Sequence, residues 1–245
     1  MSKGIIALVG AGPGDAGLLT LKAAQALQGA DVVLYDALVS KAVLALVRSE
    51  AELIPVGKKG HGLQVKQSDI NAQMVAQARQ GRRVVRLKGG DPLIFSRAGE
   101  ELAAAREAGI AVEIIPGITA AQAAAASLGI PLTHRESARR LQYVTGHDQQ
   151  GALPEDIDWR ALADPNATTV VYMAKKTLAA LSEAVLQHGL SADTPAVAVV
   201  DASLATQVVI SGTIASLPAK LAIALPEGPV VVLIGRVFAS VEPAA

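Results

Sequence analysis

Hydrophobic positions in the first half of the chain form short runs of Val, Ile and Leu, separated by alanine-rich segments with helical spacing. The short runs indicate buried β-strands, and the longer periodic segments indicate helices. The strand-like runs lie at 5–9, 31–35, 51–57, 83–88 and 111–117. The helical segments lie at 18–28, 41–47, 68–81, 99–109 and 119–129. This alternation predicts a parallel sheet with right-handed crossover connections.

The segment 68–81 carries helix signals at both of its ends. Ser68 is expected at the N-cap, and Gly81 stands just beyond the C-terminus. Ile70, Met74 and Ala78 are spaced one turn apart, which predicts one buried face.

The pattern changes after a polar stretch at 131–140. Strand-like runs follow at 141–146, 168–173, 195–200, 206–212 and 228–237. Because few helix-sized segments separate them, the later strands are expected to pair in an antiparallel or mixed sheet. The sequence therefore predicts an α/β fold with two α/β domains joined near Pro116–Gly117. We expect residues 1–116 to hold a parallel sheet, residues 117–245 a mixed sheet, and a cleft between the two to hold the active site.

Composition narrows the class of partner. Hydrophobic residues make up 51% of the chain and aromatic residues only 2%, which is typical of aliphatic helices packed over parallel strands. The 22 basic residues balance the 22 acidic ones, so no overall field favours nucleic acid or an anionic membrane. The chain has no cysteine, which excludes disulfides, thiolate metal sites and a cysteine nucleophile. No signal-peptide core or membrane-length apolar run is present, and a cytoplasmic protein is expected.

The stretch "LVGAGPGD" (8–15) follows the first predicted strand and looks at first like a phosphate-binding turn. A dinucleotide-binding turn needs G-x-G-x-x-G, but Asp15 occupies the third glycine position and Pro13 removes a backbone N–H. No P-loop sequence is present either. A second turn of the same kind, "LKGGDP" (87–92), ends another strand. Each could be an ordinary tight turn, but together they suggest a backbone-lined site for a neutral or positively polarised ligand.

The chain resembles a known family over most of its length. "VGAGPGD", "VRLKGGDP", "PGITAA", "GIPLTH", "VTGH" and "VYM" occur in the order found in the tetrapyrrole methyltransferases, over about residues 4 to 238. "RLKGGDP", "PGIT" and "IPLTH" are most similar to members that methylate uroporphyrinogen III. The resemblance implies transfer of methyl groups from S-adenosyl-L-methionine to ring carbons C2 and C7, giving precorrin-2. It also implies a homodimer.

The resemblance assigns a role to residues at matching positions. Those implied to bind S-adenosylmethionine are Pro13, Gly89, Gly90, Asp91, Ile94, Thr119, Ala120, Met173 and Ala202. Those implied to be catalytic are Asp36, Lys58 and Arg97. Those implied to contact the tetrapyrrole are Glu100, Arg135 and His147. Read without the family, each has an ordinary alternative, such as a core position for Ile94 or a helix cap for Asp36.

The implied substrate carries many carboxylates, so a nearly neutral chain would need a local basic rim. Candidates are Lys58, Lys59, Arg97, Arg135, Arg139 and Arg140. The four histidines and the carboxylates form no metal-ligand spacing, so no metal is expected.

Several positions depart from the family pattern. Ala37 stands where an arginine is usual, and Leu63 where a histidine is usual. Leu93, Ser96 and Ala98 replace an aromatic residue and two glycines. Because these changes fall on the expected substrate side, two alternatives stay open: methylation of another tetrapyrrole, or a paralogue that binds without turnover. An NAD-dependent oxidoreductase is a third, which the missing glycine disfavours.

Overall fold

The computed structural model describes residues 4–57, 65–148 and 150–241. The chain divides after Thr119 into two compact units, each of one continuous stretch of sequence. Each unit contains its own five-stranded sheet.

The first unit alternates strands and helices along the chain. Its elements are β1 (Ile5–Gly10), α1 (Leu21–Gln28), β2 (Val32–Tyr35), α2 (Lys41–Leu44), β3 (Glu52–Pro55), α3 (Gln67–Arg79), β4 (Arg83–Lys88), α4 (Ala98–Glu107) and β5 (Ala111–Ile115). The strands lie in the order β3-β2-β4-β1-β5 and every pairing is parallel, which confirms the predicted parallel sheet. In β1 and β4 every residue after the first is buried, as expected for central strands covered on both faces.

Alternation along the strands sends successive side chains to opposite faces of this sheet. Ile6 and Leu8 pack with Met74 of α3 and Ala105 of α4 in one core cluster. The intervening residues of β1 pack in a second cluster with Leu27 of α1. Aliphatic side chains thus pack helices against both faces of the sheet.

Helix α3 begins earlier than the sequence signals suggest. Lys66 occupies the N-cap without a side-chain hydrogen bond, and Ser68 lies inside the first turn, where its hydroxyl is 3.4 Å from a carboxylate oxygen of Asp69. The predicted Ser68 cap is therefore wrong, because the helix already begins at Gln67, one residue before Ser68. Ile70, Met74 and Ala78 form the predicted buried face.

The second unit has a mixed sheet. Its elements are α5 (Ala120–Leu128), β6 (Arg140–Thr145), α6 (Trp159–Leu162), β7 (Ala167–Tyr172), α7 (Leu178–Gln187), β8 (Pro195–Val200), β9 (Val208–Thr213), α8 (Leu217–Ala224) and β10 (Val230–Ile234). Strand β6 pairs with β7 in parallel, and the other pairings are antiparallel. This confirms the predicted mixed sheet, and α7 is a helix that the sequence reading did not identify. Of the helices in the described part of the chain, none has the length and apolar character that crossing a membrane takes.

Candidate functional site

The two Gly/Asp turns of the first unit lie side by side at the carboxyl edge of its sheet. The register sets Gly10 at the end of β1 level with Lys88 at the end of β4. Gly12 and Gly90 then exchange backbone hydrogen bonds, with N–O distances of 3.2 and 2.7 Å. Open parallel sheets bind their ligands at this edge.

A third turn, after β5, packs against these two without any intervening side chain. A Cβ atom on Gly117 would lie 2.3 Å from the carbonyl oxygen of Gly90 and 2.9 Å from the Cα of Gly10. These two approaches are backbone to backbone, so a side chain at Gly117 would force the turns apart. At Gly90, whose φ is +67°, an added Cβ would meet nothing within 4 Å, so that side of the turn faces open space.

The aspartates of the two turns hold the backbone in place. An oxygen of Asp15 accepts a hydrogen bond from the Gly17 N–H at 2.8 Å. Asp91 accepts from the N–H groups of Leu93 at 2.8 Å and Gly117 at 3.0 Å. Each carboxylate therefore fixes the shape of its own loop, and Asp91 also ties the turn after β4 to the turn after β5.

A cavity of about 270 Å³ opens beside the ends of β2 and β4, within the first unit. Its lining residues are Asp36, Val56, Val65, Gln67, Ile70, Arg86, Lys88, Phe95, Ser96 and Arg97. Two of the residues implied to be catalytic, Asp36 and Arg97, thus line the same cavity although they are far apart in sequence.

Two residues of the cavity lining, Arg86 and Lys88, belong to a cluster of buried charges. Glu101, on the inner face of α4, is fully buried, while Arg86 and Lys88 of β4 are each 2% exposed. The Glu101 carboxylate accepts from Arg86 Nε at 2.8 Å and from Lys88 Nζ at 2.9 and 2.8 Å. Arg86 Nη2 also donates to Asp36 at 2.5 Å. Buried charges must be paired in this way, because an isolated one loses its hydration without compensation.

This burial perturbs Lys88. Loss of hydration, and next the positive charge of Arg86, lower the pKa of Lys88 below its ordinary value, while Glu101 opposes that shift. The lysine nevertheless keeps both oxygens of Glu101 within hydrogen-bonding distance.

Arg97 and Glu100 form an ion pair at the start of α4, with Nε and Oε1 at 2.7 Å. The hydrogen bond between them raises the pKa of Arg97 and lowers the pKa of Glu100. Both side chains are about half exposed. Arg97 has a left-handed backbone, with φ 59°, as does Phe95 with φ 48°. Left-handed non-glycine residues are strained, and such strain is concentrated at functional sites.

The second unit shows similar strain where β7 and β8 end. Met173, directly after β7, has φ 60°. Asp201 and Ser203, after β8, have φ 50° and 76°, and Ala202 between them is buried. Met173 and Ala202 are both residues that the family resemblance assigns to S-adenosylmethionine.

The other predicted residues lie in less constrained surroundings. His147 Nδ1 is 2.8 Å from the carbonyl oxygen of Asp148. Arg135 is exposed, and its own carbonyl accepts from the side chain of Arg139. Arg140 is paired with Asp164, so its charge is already compensated. In the described ranges no group of His, Cys, Asp or Glu could hold a metal ion. Lys58, Lys59 and Leu63 fall outside the described residues.

The remaining predicted residues lie in turns or at the ends of the strands and helices. Pro13 lies in the turn after β1, and Gly89, Gly90, Asp91 and Ile94 follow β4. Thr119 is the last residue of the first unit and is buried, while Ala120 begins α5.

Sequence reasoning missed Arg86, Lys88, Glu101 and Gln67 as members of this site. The signal was present in "RVVRLK", a predicted central strand that contains two further cations, Arg86 and Lys88, after the Arg83 at its start. Arg and Lys are almost never fully buried unless they are paired, so a buried carboxylate nearby was to be expected. Which carboxylate it was could be learned only from the packing of α4 on β4.

Comparison with known proteins gives one family. A family model described as Tetrapyrrole (Corrin/Porphyrin) Methylases matches residues 6–218. The siroheme synthase of Neisseria meningitidis serogroup C is 52% identical over 234 residues, which is 96% of this chain and 48% of that protein. The siroheme synthase of Zymomonas mobilis is 48% identical over 235 residues, or 96% of this chain and 49% of that protein. The chain thus spans about half the length of these curated relatives.

Two solved structures match nearly the whole chain. The uroporphyrin-III C-methyltransferase of Thermus thermophilus, solved with S-adenyl homocysteine, matches with a TM-score of 0.81 and 37% identity, covering 96% of this chain and 98% of that one. A cobalt precorrin-4 methyltransferase of cobalamin biosynthesis matches with a TM-score of 0.83 and 28% identity, covering 94% of each chain.

Proposed function

Since this chain belongs to the tetrapyrrole (corrin/porphyrin) methylase family, we propose that it is a uroporphyrinogen-III C-methyltransferase. It transfers methyl groups from S-adenosyl-L-methionine to C2 and C7 of uroporphyrinogen III and gives precorrin-2. The family match confirms the resemblance seen in the sequence motifs. The observation that carries the proposal is the cavity of the first unit, which gathers Asp36 and Arg97 on a fold similar to that of the Thermus enzyme.

The glycine-rich turns fit the proposed methyl donor. Gly90 presents backbone to open space, and Asp91 beside it accepts hydrogen bonds from two backbone N–H groups. Such a surface lets a ligand be bound by backbone carbonyls and amides at close range. When bound, S-adenosylmethionine supplies a methyl group on a positively charged sulfur. The assignments of Pro13, Gly89, Asp91, Ile94, Thr119, Ala120, Met173 and Ala202 belong to this proposal.

The chain's own residues need to do little covalent chemistry. The pyrrole carbon of the substrate is the nucleophile, so the protein must hold it in line with the methyl group of the donor. The methylated carbon carries a side chain and no hydrogen, so the proton that is then lost comes from elsewhere in the tetrapyrrole. The carboxylate of Asp36 lines the cavity and is 30% exposed. We assign to it the role of accepting the proton or of orienting the pyrrole. Arg97 and Glu100 form a half-exposed ion pair, and we assign to these two side chains the contacts that fix the substrate ring in the cavity. Lys58 keeps its proposed catalytic role through the resemblance alone.

Partners follow from the same proposal. Arg135, Arg139 and His147 are proposed to contact the carboxylates at the rim of the substrate. A homodimer is proposed as the working form, because the family resemblance implies one. Neither nucleic acid nor a membrane is a proposed partner, since the sequence carries no excess of positive charge.

A second candidate is methylation of a different tetrapyrrole. It is favoured by Ala37, which is exposed beside Asp36 and lacks the cation usual in the family, and by Leu93 and Ser96 in the loop after β4. The similarity to the cobalt precorrin-4 enzyme shows that one fold accommodates more than one ring substrate.

The test is an anaerobic assay with labelled S-adenosylmethionine and uroporphyrinogen III, followed by mass analysis of the ring. Two added methyl groups are expected. Asp36→Asn is expected to lower turnover by about 10²- to 10⁴-fold, the usual range for a lost acid–base group. Asp193→Asn, in an exposed loop of the second unit, is the matched control and should keep full activity. Donor binding without label transfer would refute this substrate and move the search to later ring intermediates.

A further inference from the structure

Arg86 is the only described residue that donates a side-chain hydrogen bond to the carboxylate of Asp36. The strand register sets Arg86 opposite Leu34, two residues before Asp36, on the same face of the sheet. Side chains alternate between the two faces along each strand, so Arg86 and residue 36 lie on the same face, and the guanidinium reaches Asp36 just after the end of β2. The contact thus follows from the pairing of β2 with β4.

The guanidinium is fixed on all its sides. Its Nε donates to Glu101 at 2.8 Å. Its Nη1 lies 3.4 Å from the carbonyl oxygen of Leu34 and 3.2 Å from that of Leu87. Its Nη2 donates to Asp36 at 2.5 Å. The side chain is 3% exposed, so bulk water hardly competes for these donors.

Glu101 anchors this arrangement from below. It belongs to the inner face of α4 together with Ala98 and Ala105, and it is fully buried. Gln67 Nε2 adds a further bond to it at 3.3 Å. Arg97 is the N-cap of α4, so the second residue of the proposed catalytic pair directly precedes the helix that carries the anchor of Arg86.

The charges of the cluster cancel. Two cations, Arg86 and Lys88, face two carboxylates, Glu101 and Asp36. A cluster with no net charge is poorly suited to capture a further anion, but it is well suited to hold one carboxylate in one orientation. This favours a role in orienting Asp36 over a role in binding a carboxylate of the substrate.

We propose that Arg86 is a positioning residue: anchored by Glu101 and two backbone carbonyls, it holds the carboxylate of Asp36 in a single orientation at the cavity wall. The inference rests on the proposed function, in which Asp36 acts on the pyrrole.

The test is a double-mutant cycle between Arg86→Lys and Asp36→Asn, read by single-turnover methyl transfer. Lysine keeps the buried charge but has one donor point, so it cannot bond Glu101, Asp36 and the carbonyls together. Arg86→Lys alone is expected to lower kcat by about 10- to 100-fold with little change in KM, as misplacement of a catalytic group does. In the Asp36→Asn background the same change should cost less than about 3-fold, because the group that it positions is gone.

A merely structural role gives a different result. If Arg86→Lys lowers kcat by the same factor in both backgrounds, or raises KM without lowering kcat, the inference is wrong. The matched control is Arg82→Lys, which alters an exposed ion pair with Glu52 away from the cavity and should show no coupling to Asp36. If wild-type enzyme methylates uroporphyrinogen III but the cycle shows no coupling, this inference fails and the proposed function stands.

A second readout does not need the substrate. The same four proteins are compared by melting temperature, and Arg86→Lys should lower it less in the Asp36→Asn background than in the wild type. Equal losses in both backgrounds would overturn the inference even for a protein that transfers no methyl group to uroporphyrinogen III. Coupling in melting temperature without any methyl transfer would support the contact and count against the proposed function alone.

Discussion

Replacing Glu101 by glutamine is the sharpest test of the buried charge cluster. The substitution keeps the size of the side chain but removes the charge that compensates Arg86 and Lys88. Glu101 is fully buried and accepts bonds of 2.8 to 2.9 Å from both cations. Breaking a buried pair by removing one partner costs about 3–5 kcal/mol, since the remaining charge has no hydration. For a chain of this size that corresponds to a fall in melting temperature of roughly 6–20 °C.

The neighbouring residue supplies the control. Glu100 lies on the same helix and pairs with Arg97, but both side chains are about half exposed. Exposed pairs of this spacing contribute about 0.5 kcal/mol or less, so Glu100→Gln should leave stability nearly unchanged. Urea unfolding followed by circular dichroism, with calorimetry to separate the two units, measures both variants. A Glu101→Gln protein within about 1 kcal/mol of wild type would refute the reasoning, because the buried cations would then need no partner.

Three further changes test other parts of the structure. Gly117→Ala should lower the free energy of unfolding by about 3 kcal/mol or more, since its Cβ would lie 2.3 Å from the carbonyl oxygen of Gly90. Gly99→Ala on α4, where an added Cβ meets nothing within 4 Å, should raise it by up to about 1 kcal/mol, and denaturant unfolding measures both. In a comparison of wild type with Lys88→Met between pH 7 and 10, the stability of wild type relative to the variant should rise with pH, because folded Lys88 releases its proton at a lower pH than the unfolded chain does. Thr168→Val should stabilise the second unit by about 1 kcal/mol in a thermal scan, because the Thr168 hydroxyl is buried and, among the described residues, has no hydrogen-bond partner.

Each of these has an outcome that contradicts it. Equal effects of the two glycine substitutions would show that the turns after β4 and β5 can separate at little cost. A stability difference that is flat or falls with pH would mean that Lys88 keeps an ordinary or raised pKa in the folded state. A loss of stability in Thr168→Val would show that its hydroxyl is bonded after all.

The strand pattern could be predicted from sequence because the runs were continuous and apolar. "IIALV" was predicted as a strand at residues 5–9 and forms β1 over Ile5–Gly10. The start of α3 was less predictable, since Ser68 is a good capping residue that lies two residues after the actual N-cap, and Lys66 at that N-cap gives no signal. The local sequence signals predicted the helix correctly but misplaced its first residue.

For the site, the sequence identified residues by motif but not by contact. Asp36 and Arg97 were named, and they line one cavity. Their connection through Arg86 and Glu101 was not predictable, because it depends on a register between strands and on the rotation of α4 over the sheet. A sequence shows that "GEE" contains two carboxylates; only packing decides that Glu101 turns inward and Glu100 outward.

The division of the chain after Thr119 has a consequence for synthesis in the cell. All strands of the first sheet, together with Asp36, Arg86 and Glu101, leave the ribosome before the strands of the second sheet. At the usual rate of translation, residues 120–245 take roughly 6 to 25 s. A parallel sheet folds slowly, because its strands pair over long sequence separations. The interval gives the first unit time to pair its buried charges before the second sheet offers competing apolar strands.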